Sequence, residues 1–329
     1  MLIVGAGKRS VSLLRQLPAE ADLRPLAVVE PDRSRREAAL GQFGIAHGFS
    51  ALGEFLASGV RVDAALVLTP PALHAEPFVQ CVRAGLPVFC EKPMDMDLAA
   101  CERMLLAARA SGVPTAFGFN RRFTPAARLA AALRAEGAPV FVHTSKSRAM
   151  SYSRMLAENA VHAVDLMLWL ARSTPAAVRA VGRFKDEATE AEGFIAASVA
   201  FVSGGAGSVQ MITCGQGSVE RLEVYAEDFT LQGDLPDVVR FAGAEAHLRS
   251  AAGAAGLALE ELGAGRWRLG APCSDAAAEL LAFVAALGGG QSAGADAEAA
   301  FEAQRLVEGI YRAAGLPPSR PGAHWVRES

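Results

Sequence analysis

The chain has 329 residues, 51% of them hydrophobic and 20% charged, with a formal net charge of −3. That is apolar material for about two domains of ordinary size, and it excludes a wholly disordered chain. The mildly acidic balance excludes nucleic acid and a polybasic membrane surface as principal partners.

The first 120 residues alternate short apolar strands with helical periodicity. Strands are predicted over Leu2–Val4, Leu26–Val29, Ala64–Leu68, Val88–Cys90 and Thr115–Phe117, and helices over Lys8–Leu17, Arg33–Phe43, Leu73–Ala84 and Leu98–Ala110. Strands apolar on both faces, with helices between them, specify a parallel sheet covered by crossover helices. This predicts an α/β fold with an N-terminal, doubly wound Rossmann domain over 1–120, whose ligands bind at the carboxyl ends of its strands.

Beyond residue 122 the pattern changes. A helix is predicted over Pro125–Ala135, a strand over Val140–Ser145 and an apolar helix over Glu158–Ala171. Successive strands follow at Val178–Phe184, Phe194–Val202, Gly207–Cys214, Glu220–Ala226 and Phe229–Leu231, separated by glycine and acidic turn signals. Late helices are predicted over Ala276–Leu287 and Ala297–Ala314, the second capped by Asp296. Residues 121–329 thus read as a C-terminal α+β domain with a mostly antiparallel sheet, with no clear periodicity in 242–265.

Five cysteines, odd in number and without CxxC spacing, predict neither a disulfide framework nor a zinc cluster. No signal-peptide pattern opens the chain, and no apolar run approaches the roughly 20 residues that span a bilayer. The expectation is a cytoplasmic protein with no membrane partner and no metal; no two histidines have ligand spacing. A hydrolase triad has no GxSxG support.

Gly5-Ala6-Gly7-Lys8-Arg9-Ser10 follows the first strand and opens the first helix. Gly5 suits the tight turn, Gly7 the close approach of backbone to a pyrophosphate, and Ser10 keeps the third position small. Lys8 and Arg9 add cationic side chains beside it. Glu30 ends the second strand, where a carboxylate accepts hydrogen bonds from an adenosine ribose and favours NAD. Arg33, Arg35 and Arg36 follow, either pairing a 2′-phosphate, which keeps NADP as the alternative, or lying on a solvated helix face.

Only four of the 32 basic residues are lysine: Lys8, Lys92, Lys146 and Lys185. Lys92 lies in Glu91-Lys92-Pro93 at the carboxyl end of a predicted parallel strand. Pro93 restricts Lys92 to extended geometry. Beside a cationic nicotinamide and partly desolvated, Lys92 is expected to have a lowered pKa and to relay a proton, which arginine cannot do. His162 sits four residues after Glu158, on one face if both are helical, with Asp165 adjacent. Imidazole suits proton transfer near neutral pH.

Thr69-Pro70-Pro71-Ala72-Leu73-His74, the run from Ala84-Gly85 to Cys90-Glu91-Lys92-Pro93, Gly118-Phe119-Asn120-Arg121-Arg122-Phe123 and Glu158…His162…Asp165 together resemble the Gfo/Idh/MocA oxidoreductases, the group of glucose–fructose oxidoreductase and inositol dehydrogenase. The resemblance runs over most of the chain and implies hydride transfer between NAD(P) and a secondary alcohol or carbonyl of a sugar, polyol or sugar-derived acid. It implies that Thr69, Pro70, His74 and Glu91 line the nicotinamide half. Lys92 and His162 then handle the proton, with Glu158, where the family usually has Asp, and Asp165 in support. Asn120 and Arg122 become substrate-lining candidates. Lys146, Arg148 and Tyr152, in what reads as a short loop over Lys146–Ala157, either bind substrate or lie in a solvated segment. A homodimer or homotetramer is implied. Rival readings are an imine or enone reductase, an enzyme that cycles bound NAD internally, and a non-catalytic cofactor-binding regulator.

Overall fold

The computed structural model describes residues 1–16, 23–134, 141–149, 154–187, 190–214, 217–289 and 294–318. It divides into two compact units: Met1–Phe119 with Ala276–Phe301, and Asn120–Asp275 with the described chain from Glu302 to Pro318. The chain passes from the first unit to the second after Phe119 and comes back to the first at Ala276, so neither unit is continuous in sequence. Ala276, Leu280 and Phe283 return to the first core beside Ile3, Leu66 and Phe89, and Phe117 bridges Ala295.

The first unit is built in the order β1 (Leu2–Val4), α1 (Lys8–Leu14), β2 (Ala27–Val29), α2 (Arg33–Phe43), β3 (His47–Phe49), α3 (Leu52–Ala57), β4 (Ala65–Val67), α4 (Ala75–Arg83), β5 (Val88–Cys90), α5 (Leu98–Ser111) and β6 (Thr115–Phe117). Its six strands are parallel in the order β3-β2-β1-β4-β5-β6. Each of β1, β2, β4 and β5 is buried at every residue, as a sheet covered on both faces requires. Ile3, Val28, Leu66, Phe89 and Ala116 form one face, where Phe283 meets Phe89 at 6.0 Å. Phe117 packs on Phe78 of α4 at 5.3 Å. Asp32 caps α2 and Asp97 caps α5, each accepting N–H groups of its first turn. The structure adds β3 and α3 to the predicted elements. His47 and Gly48 are exposed on the edge strand, so no apolar run marks it.

The second unit contains α6 (Pro125–Leu133), β7 (Phe141–Arg148), α7 (Met155–Glu158), α8 (Val161–Ala171), β8 (Pro175–Asp186), β9 (Ala191–Phe201), β10 (Ala206–Ile212), β11 (Ser218–Tyr225), β12 (Thr230–Asp234), β13 (Val238–Ala242), α9 (Glu245–Ala254), β14 (Ala258–Gly263) and β15 (Arg266–Gly270). Two further helices, α10 (Asp275–Leu287) and α11 (Ala297–Ala313), end the described chain. The sheet order is β14-β15-β13-β12-β11-β7-β10-β9-β8, antiparallel throughout except for β7 with β10. Val142, Thr144 and Lys146 of β7 are buried on alternate positions, and α8 packs on that strand. Gly207 lets Met167 of α8 sit on β10; a Cβ there would meet its Sδ at 2.6 Å.

Two sequence expectations change here. β7 runs to Arg148, so Lys146 and Arg148 are strand residues rather than loop residues. The predicted helix over Glu158–Ala171 is two helices, because the Ala160 N–H bonds back to the Met155 carbonyl and a new turn starts at Ala160. Glu158 and His162 therefore do not share one continuous helix face.

Candidate active site

In the first unit the loops after β1 and β4 flank the point where the strand order reverses, the ligand crevice of such sheets. Gly5 has φ +93°, and a Cβ there would press on the Leu68 and Thr69 backbone at 3.1 Å. Ser10 Oγ donates to the Gly5 carbonyl at 2.6 Å and pins the turn. Around Gly7 a Cβ would meet nothing within 4 Å, so its backbone is open to a close-approaching group. The first N–H groups of the following helix have no intrahelical acceptor. This cradle fits a pyrophosphate, with Lys8 exposed at its rim.

Glu30 is buried, its Oε2 accepting the Ala6 N–H at 2.8 Å and its Oε1 the Asp32 N–H at 3.0 Å. Arg33 points away and pairs with Glu37 at 2.7 Å, its side chain 83% exposed. Arg9 bonds Glu91 instead of standing free, with Nη2 and Nε at 2.6 and 2.7 Å from Oε1. Gly118 lies close against Glu91, where a Cβ would meet Oε2 at 2.9 Å.

His74 ties the two motifs of this unit together. Its Nε2 lies 2.8 Å from the Thr69 carbonyl and its Nδ1 2.9 Å from the Pro93 carbonyl. Burial pushes the imidazole pKa down, opposed by these carbonyls and by Asp95 and Glu91. Thr69 Oγ1 donates to the Leu73 carbonyl at 3.0 Å, and Pro70 precedes a 3-10 turn over Pro71–Leu73. The clamp ties the loop at Thr69 to the backbone just after the half-buried Lys92, whose peptide bond to Pro93 is cis. A groove of about 1060 Å³ runs along α4 and α5 and meets this region only through residues such as Thr69 and Asp95.

In the second unit His162 is buried near the start of α8. Side-chain contacts from outside hold that helix. Thr144 Oγ1 donates to the Ala163 carbonyl at 2.9 Å. Asp165 forms a two-pronged pair with Arg122, Nε to Oδ2 at 2.9 Å and Nη2 to Oδ1 at 2.5 Å. The pair is buried, and Arg122 also lies over the Trp169 ring at 5.5 Å. Burial pushes the Asp165 carboxyl up while Arg122 pulls it back. Arg122 and Asp165 are thus committed to each other, a geometry that orients α8.

Lys146 is 4% exposed, with Nζ 2.8 Å from Glu220 Oε1; the two residues face each other across β7 and β11. Arg121 joins them, bonding Glu220 at 2.7 and 3.0 Å and Asp275 at 3.0 Å, and Asn120 donates to Asp275 at 2.7 Å. Burial would raise the Glu220 pKa, but Arg121 and Lys146 override it and hold it at about 2. Burial pushes the Lys146 pKa down, Glu220 opposes this, and the cations Arg121 and Arg148 add to the fall. Arg148 is exposed at the strand end, and Tyr152 lies outside the described residues. Glu220 and Arg121 were not among the sequence candidates. Arg121 lies in the Asn120–Phe123 motif and was open to selection, whereas Glu220 has only strand alternation to mark it.

Comparison with known proteins now bears on this geometry. Residues 1–119 match the family model described as "Oxidoreductase family, NAD-binding Rossmann fold" of GFO_IDH_MocA, and 133–232 match its C-terminal domain model. An inositol 2-dehydrogenase of Leifsonia xyli is 35% identical over 161 residues, 46% of this chain and 47% of the relative. One from Corynebacterium glutamicum is 31% identical over 45% of this chain and 46% of its own. The alignments thus span about half the length of these curated relatives. The solved UDP-N-acetylglucosamine 3-dehydrogenase GnnA of Acidithiobacillus ferrooxidans superposes with TM-score 0.76 at 19% identity, covering 95% of this chain and 96% of that one. At that identity the likeness shows the fold. Among the described residues no helix is long and apolar enough to cross a membrane. With both domain models matched in order along the sequence, the chain belongs to the Gfo/Idh/MocA family of oxidoreductases.

Proposed function

We propose that this protein is an NAD(P)-dependent dehydrogenase that moves a hydride between the nicotinamide and a secondary alcohol or carbonyl carbon of a polyol, sugar or sugar-derived acid. The observation that carries the reading is Lys92 at the carboxyl end of β5, on backbone clamped by His74 in the unit that holds the open Gly5–Gly7 cradle. Bound cofactor supplies the hydride acceptor or donor. The chain supplies position and proton handling. Gly5, Gly7 and Ser10 seat the pyrophosphate, with Lys8 and Arg9 at its edge. Glu30 holds the adenosine ribose. Thr69, Pro70, His74 and Glu91 line the nicotinamide half.

In the oxidation direction the alcohol loses its hydroxyl proton as well as its hydride. Lys92 is assigned to hold that oxygen by hydrogen bonding and His162 to take the proton, since imidazole exchanges protons near neutral pH. Arg122 and Asp165 act by orienting the His162 helix, and Glu158 supports from α7. Lys146, with Arg121 and Glu220, offers an ammonium and a fork of N–H donors suited to hydroxyl or carboxylate groups. Asn120 and Arg148 complete the set of substrate candidates. We further propose a cytoplasmic homodimer or homotetramer, to be checked by light scattering.

The test is NADH formation, followed by absorbance, on a panel of cyclic polyols, aldoses and sugar acids headed by myo-inositol. Turnover should fall by about a hundredfold or more in Lys92→Ala and in Lys92→Arg, with cofactor affinity kept. Wild-type turnover in either variant would remove Lys92 from the mechanism.

A further inference from the structure

The short helix α7 precedes the helix that carries His162, and its Met155, Leu156 and Ala157 are fully buried. The first N–H groups of a helix have no acceptor within it, and the side chain of the capping residue, Arg154, provides none. Their acceptors come from far along the chain, within the same unit. The Leu156 N–H donates to Glu192 Oε2 of β9 at 2.8 Å, and the Ala157 N–H donates to the Tyr311 hydroxyl of α11 at 3.2 Å. The Tyr311 hydroxyl donates in turn to Glu192 Oε1 at 2.6 Å. Each carboxylate oxygen thus has a donor, and the phenol both gives and accepts. Arg154 closes the cluster. Its guanidinium lies 4.7 Å from the centre of the Tyr311 ring and 5.2 Å from that of Phe184. It donates to the Pro317 carbonyl at 2.6 Å and to that of Pro318.

Glu192 and Tyr311 are both 0% exposed. Burying a carboxylate costs free energy, and burial lifts this one to a pKa of about 7. Apolar side chains would fill the same space without that cost, but would leave two buried N–H groups of α7 without acceptors. From α7 the order passes to α8 through backbone alone. The Met155 carbonyl takes the Asn159 and Ala160 N–H groups at 2.9 and 2.7 Å, and the Ala160 carbonyl takes those of Ala163 and Val164 at 2.9 and 3.3 Å. His162 lies inside that turn. We propose that Glu192 and Tyr311 are positioning residues of the active site: by holding the N–H groups of Leu156 and Ala157, they set where Glu158 and His162 stand. The catalytic meaning of that placement rests on the dehydrogenase reading above; the anchoring itself does not.

The test compares Tyr311→Phe, Glu192→Met and Glu192→Gln in the full chain. The first removes the acceptor of Ala157 and keeps the buried ring. The second removes the acceptor of Leu156, and the third keeps an amide oxygen for it. In Tyr311→Phe, amide hydrogen exchange followed by NMR should speed up about tenfold or more at Leu156, Ala157 and the first turn of α8, with the amides of β7, β9 and β10 changed by less than about threefold. A loss of overall stability alone would speed all of them alike. The His162 ring signal, assigned by its absence from His162→Gln, should move in the same variant while those of His143 and His247 stay. In turnover on the polyol and sugar panel, kcat should fall about tenfold in Tyr311→Phe and Glu192→Met with KM within about threefold, and Glu192→Gln should recover most of the loss. Unchanged exchange at Leu156 and Ala157, an unmoved His162 signal, or an unchanged kcat in Tyr311→Phe overturns the proposal, whether or not Glu192→Met folds. A wild type that turns over nothing on the panel overturns the dehydrogenase reading and the catalytic meaning of the anchor, and exchange with the ring signal then decides the anchoring alone.

Discussion

The buried pair between Arg122 and Asp165 makes a sharp energetic prediction. Asp165→Asn keeps the side-chain shape and removes the charge, leaving the Arg122 guanidinium buried against Trp169 without its counterion. Side-chain exposures of 7% and 1% leave little water to compensate. Breaking one member of such a pair costs about 3–5 kcal/mol. For a chain of this size that lowers the melting midpoint by roughly 4–7 °C. Replacing both charges, as in Arg122→Met with Asp165→Leu, should recover all but about 1–2 kcal/mol, because the desolvation of both ions is relieved together. Urea unfolding followed by tryptophan fluorescence measures each variant, and the double-mutant cycle isolates the coupling. An Asp165→Asn protein as stable as wild type, or a double variant as damaged as the summed singles, would refute the reasoning.

Other consequences are as direct. Gly5→Ala forces a Cβ onto the Leu68 and Thr69 backbone at φ +93° and should cost about 1–3 kcal/mol; calorimetry should also show cofactor affinity falling more than stability. Glu192 is fully buried, and burial lifts its pKa to about 7 against the hydrogen bonds from the Tyr311 hydroxyl and the Leu156 N–H. The folded state then holds a proton that the unfolded chain releases near pH 4.5, so stability should fall as pH rises from about 4.5 to 7 and level off above. In Glu192→Gln that part of the slope should vanish in melts taken across the range. Glu220 acts in the opposite sense: held at about 2, it stabilises fully above pH 4.5 and is lost as pH falls toward 2. Glu220→Gln should flatten the acid limb of the stability curve and, by stranding Lys146, lower stability at neutral pH.

The candidate-site motifs were legible because their residues are neighbours in the chain. A strand, a glycine turn and a helix occupy consecutive residues, so Gly5, Gly7 and Ser10 could be placed without tertiary information. The strand apolar at every position before Glu91-Lys92 likewise announced a buried parallel sheet with Lys92 at its carboxyl end. The edge strand β3, exposed at His47 and Gly48, carried no such signal. Residues 242–265 gave no reading because Ala and Gly blur the apolar period, although α9 buries Leu248, Ala251 and Ala252. The break after Glu158 is set by a backbone bond from Ala160 to Met155, which side-chain periodicity does not register.

By itself the sequence determined the class of fold, the glycine cradle, the strand-end lysine and the family to which they belong, since each depends on neighbours in the chain. The tertiary structure alone decided the pairings. It committed Arg122 to Asp165 across 43 residues, set Lys146 beside Glu220 through strand register, returned Ala276–Phe301 to the first core, and laid Arg35 on Glu30. Charges find their counterions by distance in space, and a long-range contact leaves no periodicity in the chain from which to read it.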